Sequence, residues 1–196
     1  MTARMRSLAW GGVGGPVAFA LAWSILGART PGYSPVEQPI SRLAAAGATT
    51  QPAMTAGLLA FGCGVSLYAA ATRTALSRTT AVASLVTAAA TVGIAALPLD
   101  GPGGDEPHAA AAGIAYAALA ATQLAGAHAF HRQGRWLGAR LSLVAGVATA
   151  VALAASAAGT SRTGLLQRTG LTIGDAWIVG TSLWMLRASR AAAVTM

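Results

Sequence analysis

Arg168, Thr172 and Asp175 fall at i, i+4 and i+7 in the last apolar stretch of the chain and share one helix face. At a rise of about 1.5 Å per residue, Asp175 lies about 10 Å deeper along the axis than Arg168. A carboxyl at such depth is costly, usually faces the bundle interior, and by default suggests a functional site. Its alternative is structural, a bond to a neighbouring helix or a pairing with Arg168 or Arg162. A second group follows residue 97, where Asp100, Asp105, Glu106 and His108 stand within Pro98-Leu99-Asp100-Gly101-Pro102-Gly103-Gly104-Asp105-Glu106-Pro107-His108. Three acids and an imidazole suit a hard divalent cation or zinc, but the spacing matches neither an EF-hand loop nor HExxH, and no metal is assigned. The other readings are a solvated loop beside a helix N-terminus, or an acid/base pair in which Asp100 orients His108. The third group is Glu37, Ser41 and Arg42 in Tyr33-Ser34-Pro35-Val36-Glu37-Gln38-Pro39-Ile40-Ser41-Arg42-Leu43. Pro39 can begin a short helix capped by Gln38 or nearby and ended by Gly47. That helix either lies at the interface on the bundle or forms a re-entrant lid carrying Glu37, Ser41 and Arg42 over a cavity.

The elements that must position these groups follow from composition. Of 196 residues, 55% are hydrophobic and 9% charged, against roughly 25% charged in soluble domains. An all-α integral membrane bundle is expected. Six stretches, about 8–28, 53–72, 79–98, 109–129, 138–159 and 169–187, are near the 20 apolar residues a transmembrane helix needs. They leave room for a single transmembrane domain. Arg4 and Arg6 before the first run resemble a signal peptide, but the run is too long for a typical h-region, so it is read as a retained span.

The formal charge is +8, from 13 arginines and 5 acids. The arginines stand singly or in pairs without aromatic interleaving, which argues against nucleic acid. Nine of them (Arg4, Arg6, Arg73, Arg78, Arg132, Arg135, Arg140, Arg187, Arg190) fall on the side of the N-terminus and four on the other. The positive-inside rule then puts both termini in the cytoplasm of an inner-membrane protein. Trp10, Tyr68, Trp136 and Trp184 fall near the inner interface, and Trp23, Tyr33 and Trp177 nearer the outer one, as aromatic belts do. All the acids lie on the outer side, and of these only Asp175 is inside an apolar run.

One cysteine, Cys63, excludes an internal disulfide and a multi-cysteine metal site. His128 and His131 are at one end of the fourth span and His108 at the other, so a bis-histidine haem is not expected. Nor is there a Walker loop, a dinucleotide fingerprint or a nucleophile elbow, and no cofactor is expected. Gly11/Gly15, Gly134/Gly138 and Gly170/Gly174 have GxxxG spacing, read as tight packing between helices. Below His108, Ala112, Ala115, Leu119, Thr122 and Gly126 recur at helical spacing, either a packing seam or the wall of a slot for a lipid chain.

Together, Tyr33-Ser34-Pro35 with Ile40-Ser41-Arg42-Leu43, Pro98-Leu99-Asp100 followed by His108, and Gly164-Leu165-Leu166-Gln167-Arg168 resemble the domain of unknown function 998 family over nearly the whole chain. The resemblance implies a small polytopic bacterial membrane protein without an established activity, and carries over Ser41, Asp100, His108 and Arg168 as its polar core. Many relatives show an acid after the serine, Ile-Ser-Glu-Leu, where this chain has Arg42, so a mechanism needing a carboxylate there does not carry over. A weaker likeness to ceramidase and adiponectin-receptor hydrolases fails for want of three outer histidines.

Three functions follow. The first is a polar-headed pocket in the outer half for a lipid or isoprenoid, with Ser41, Arg42, Arg168 and Thr172 binding the head, since arginine forks suit phosphate and carboxylate. The second is a membrane enzyme on such a molecule, a hydrolase type with Asp100 and His108 as acid/base pair, or one like the small terpene cyclases with Asp175 and Glu37 as proton donors. The third is a structural subunit with a membrane-protein partner or further copies of itself.

Overall fold

The computed structural model describes residues 3–194, with side chains from residue 5 to residue 188. Arg4 and Arg190, two of the nine topological arginines, lie outside the residues whose side chains are described. Among the described residues there are α1 (Ala3–Arg29), a 3₁₀ turn (Ile40–Ala44), α2 (Gln51–Ala75), α3 (Arg78–Ala96), α4 (Glu106–Arg132), α5 (Trp136–Ala157) and α6 (Thr163–Val194), and no strand. The apolar windows fall on these helices, which mostly extend beyond them into polar residues. Ser77 caps α3 by accepting from the Thr80 amide at 3.0 Å. Pro52 and Pro107 stand in the first turns of α2 and α4, where their missing N–H costs nothing.

Helices α1 (from Met5) to α5 are long and apolar enough to cross a membrane. α6 is also long, but Arg168, Asp175 and Arg187 interrupt its apolarity. Each helix packs on the next, and α6 returns to α1, so the six form a closed ring. The distribution of side chains is that of a protein solvated by lipid. On α5, Leu137, Val144 and Val151 are 72%, 67% and 64% exposed, while Ser142 and Thr149 on its other face are buried. The inward hydroxyls of Ser84, Thr87, Thr91 and Thr122 donate to carbonyls four residues back, at 2.8, 3.0, 2.9 and 2.9 Å. Polar groups are thereby satisfied within their own helix where no water is at hand. The chain is a multi-pass helical membrane protein.

The expected small-residue packing holds at two of the three glycine pairs. At the α1/α2 crossing, a Cβ on Gly64 would lie 2.5 Å from the Gly11 carbonyl oxygen and 2.7 Å from Gly15 Cα. Gly170 and Gly174 admit Leu153 of α5 and Leu119 of α4. Gly134, however, ends α4 in a turn with φ +71°, so Gly134 and Gly138 are not on one helix. Two of the expected belt aromatics are also internal. Tyr68 is fully buried and shares a 2.8 Å hydrogen bond with Thr181, and the Trp177 indole donates to Ser142 Oγ at 2.8 Å.

Candidate functional site

The end of the bundle that carries the loop acids, here the acidic end, is tied together by the segment 30–50. The 3₁₀ turn is the short helix expected after Pro39; Gln38 does not cap it but accepts the Ser34 amide through Oε1 at 3.1 Å. Ile40, Leu43 and Ala44 point into the bundle and are buried, whereas Arg42 points out. The turn therefore tucks into the end of the ring as a plug and does not lie on its surface, but of the three side chains expected on a lid only Ser41 faces a cleft, while Glu37 and Arg42 are exposed. Gly47, at φ +78°, reverses the chain toward α2.

Two residues of α6 hold this plug. Gln167 Oε1 accepts the Ile40 amide at 2.6 Å, and its Nε2 donates to the Tyr116 hydroxyl of α4. Arg168, 9% exposed, donates through Nη1 to the carbonyls of Pro35, Gln38 and Gly164 at 2.8, 3.0 and 3.0 Å, and through Nη2 to the Tyr33 hydroxyl. Its guanidinium also lies over the Trp23 and Tyr33 rings, 5.5 and 5.4 Å from their centroids. Burial pushes the Tyr33 phenol above the ordinary tyrosine pKa, against the opposing hydrogen bond and charge of Arg168. Arg168 is thus spent on the protein itself, and its donors are turned to loop carbonyls instead of a ligand.

The second loop is strapped to the first. The Ala46 amide donates to Leu99 O at 2.8 Å, and Arg42 pairs with Asp100 at 2.8 Å, with both side chains about half exposed. An exposed pair of this kind contributes about 0–1 kcal/mol, so its value lies in setting how the loops meet. Asp100 stands at φ +57°, a conformation aspartate tolerates better than most residues, and its amide donates to Asp105 Oδ1 at 2.9 Å. Asp100 does not orient His108. That role falls to the Leu97 carbonyl, 2.7 Å from His108 Nδ1. A carbonyl only accepts, so Nδ1 carries a proton and donates it to Leu97 O, which leaves Nε2 as the nitrogen not engaged in this bond.

Beneath the 3₁₀ turn lies a cleft lined by Ser41, Thr87, Thr91, His108, Tyr116 and Gln167, and by apolar groups including Phe19, Met54, Leu58, Phe61 and Leu119. Its free volume is about 50 Å³, room for a few waters. The small-residue face of α4 divides. Ala112, Ala115 and Leu119 line this cleft, whereas Gly126 packs against the Trp177 ring.

The expected site residues therefore separate into three places. Ser41 and His108 share the cleft. Arg42 with Asp100 strap the loops outside it, and Arg168 clamps the first loop from within the protein. Asp175 and Thr172 border a different groove, between α6 and α1, with Pro16, Val17 and Ala20. Glu37 is exposed on the first loop, and Asp175 lies twelve residues into α6, about 18 Å along its axis. A pair of proton donors made of Glu37 and Asp175 is therefore not assembled. Among the described residues, no three His, Cys, Asp or Glu side chains gather as metal ligands.

Sequence reasoning missed the polar stripe of α3, Thr80, Ser84, Thr87 and Thr91. Its spacing of 4, 3 and 4 residues is a helical period and was available as a signal. It also missed Gln167, whose two contacts join segments far apart in sequence.

A family model described as a protein of unknown function (DUF998) matches residues 13–184. The chain belongs to this family. The match spans every helix that borders the cleft and the groove, so both features lie within the DUF998 region itself. No curated protein and no solved structure matches the chain.

Proposed function

We propose that this DUF998 protein binds an apolar molecule with a small polar head, a membrane lipid or isoprenoid, in the cleft at its acidic end. The observation that carries the reading is the cleft itself, with His108, Ser41, Thr91 and Tyr116 among aromatic and aliphatic walls. Convergent polar groups in a concave apolar site are the usual form of a small-molecule pocket. The head would be met by His108 Nε2 and the Ser41 hydroxyl, and the chain would follow Ala112, Ala115 and Leu119. Arg42 and Arg168, already engaged, take no part in this version of the site.

Mass spectrometry of lipids retained by protein purified in mild detergent tests the reading. Wild type is expected to retain one apolar species near stoichiometric amount. Ala112→Phe, which projects a ring into the cleft, is expected to lose it, with unfolding temperature unchanged. Bulk phospholipid in bulk ratios from both proteins would sink the idea. The rival reading, an enzyme acting on such a molecule, draws support from Ser41 and the oriented His108 sharing one cleft. It requires turnover of the retained species, abolished in His108→Gln.

We also place both termini in the cytoplasm, with the acidic end outward, because of the arginine excess at the opposite end. A reporter fused to the C-terminus should be active only in its cytoplasmic form, and a periplasmic reading would reverse the site's orientation.

A further inference from the structure

Among the described residues, the buried side-chain nitrogen and oxygen atoms without a hydrogen-bond partner are Trp23 Nε1, Arg168 Nε, Asp175 Oδ1 and Ser182 Oγ. All four border one seam, where α6 closes the ring against α1. On α6 they stand at residues 168, 175 and 182, two helical turns and about 10 Å apart. Trp23 of α1 lies against Arg168, and Gly12 of α1 faces Ser182 so closely that a Cβ there would be 2.2 Å from its Oγ. Pro16 of α1, beside Asp175, has no N–H and leaves the Gly12 carbonyl without its helical donor. Elsewhere in the bundle the inward hydroxyls of Ser84, Thr87, Thr91, Thr122 and Ser142 bond back to their own helices and Thr149 bonds to Gln123 and Gly170 of its neighbours, so the unpartnered groups of this seam are a local exception.

Buried polar groups are nearly always paired with protein or ordered water. Three orphans two turns apart on one face of α6, with a fourth on α1 beside the first of them, are what bound waters along the seam would satisfy. The groove at Asp175 has about 210 Å³ of free space, sufficient for waters at this one station, and is walled mainly by apolar side chains. The groups facing Asp175 from α1 are Pro16, Val17 and Ala20, none of which titrates. On α6 the neighbouring charge is Arg168, two turns toward the acidic end.

We propose that the α1/α6 seam is a hydrated proton path, with Asp175 as its proton-binding group and Trp23, Arg168 and Ser182 as further stations for the waters. The path is separate from the lipid cleft, which lies inside the ring under the 3₁₀ turn. No covalent step is involved. A protonated water gives its proton to the Asp175 carboxylate and becomes neutral water, and the carboxyl then passes a proton to the next water, which leaves as hydronium.

The test uses the full chain reconstituted in phospholipid vesicles that trap a pH-sensitive dye, with an imposed pH gradient and valinomycin with potassium to cancel the membrane potential. Gradient decay is expected to be several-fold faster than in protein-free vesicles and to fall to the protein-free rate in Asp175→Asn. A hydrophobic carbodiimide gives a second measurement on wild type, so the result does not hang on folding of the variant. The protonated carboxyl adds across the carbodiimide N=C=N, its proton moving to nitrogen, and rearranges to a stable N-acylurea at Asp175 found by peptide mass spectrometry. Labelled protein is expected to lose the excess decay. Decay equal to protein-free vesicles, Asp175→Asn decaying as fast as wild type, or no label at Asp175 would each overturn the proposal.

Discussion

Gly64→Val is expected to be among the most destabilising single substitutions in this DUF998 protein, at about 3 kcal/mol or more, because overpacking here is resisted by backbone. A Cβ at this position meets the Gly11 carbonyl and Gly15 Cα at 2.5 and 2.7 Å. Neither atom can swing aside as a side-chain tip would. Relief requires α1 and α2 to separate along their whole crossing, and in lipid no hydrophobic drive returns them. Gly14 supplies the control, since nothing lies within 4 Å of its would-be Cβ. Gly14→Ala removes a flexible residue from a helix and should be neutral or stabilising by about 0.5–1 kcal/mol. Thermal unfolding in one detergent, monitored by circular dichroism, separates the two. Equal melting of both variants would mean that α1 and α2 are not in backbone contact at Gly64.

The helices themselves were legible because lipid imposes a strong rule on sequence. Twenty apolar residues must be helical, and each of the six windows falls on one helix, those at 79–98 and 138–159 overrunning the ends of α3 and α5 by two residues. The glycine pairs were only half legible. Spacing alone cannot distinguish Gly11/Gly15, within one helix, from Gly134/Gly138, which straddle a helix end at a left-handed turn. The difference lies in Gln133-Gly134-Arg135, a polar interruption that ends α4 before Trp136 begins α5.

The candidate site was legible as a set of residues and illegible as an arrangement. Ser41, Asp100, His108, Arg168 and Asp175 were singled out because polar groups are few in an apolar chain. Which of them meet depends on carbonyls, and main-chain acceptors leave no mark on residue type. His108 is oriented by the Leu97 carbonyl instead of Asp100, and Arg168 is held by three carbonyls instead of an anionic head. Both misassignments have one cause, the assumption that a charged side chain near the membrane surface must find another charge. The depth of Asp175 in the apolar run was legible as burial: the residue is 7% exposed and lacks a partner for Oδ1.

Arg168→Met is expected to be comparably severe and to act on one region. The substitution keeps most of the apolar volume over Trp23 and Tyr33 but withdraws four hydrogen bonds, leaving the carbonyls of Pro35, Gln38 and Gly164 without the guanidinium. Hydrogen bonds to a charged donor contribute about 1.5–3 kcal/mol each, and the loss is partly offset by water reaching the loop, so a net cost of about 3 kcal/mol follows. Arg168→Lys should recover little, because one ammonium cannot span three carbonyls and a phenol from a single position. The damage should appear first in residues 33–44 as faster amide exchange, while the middles of α2 and α3 keep their protection. Gly164 offers a check on the mechanism. A Cβ there would meet the same Gln38 and Pro35 carbonyls at 2.3 and 2.7 Å. Gly164→Ala should therefore also free the loop, and the double variant should cost less than the sum of the two singles, since groups already released cannot be released again. Strict additivity, or exchange that rises uniformly along the chain, would mean that Arg168 does not clamp the 3₁₀ plug. If the clamp holds, the plug is governed from α6, from the same seam with α1 that carries Asp175 further along the helix.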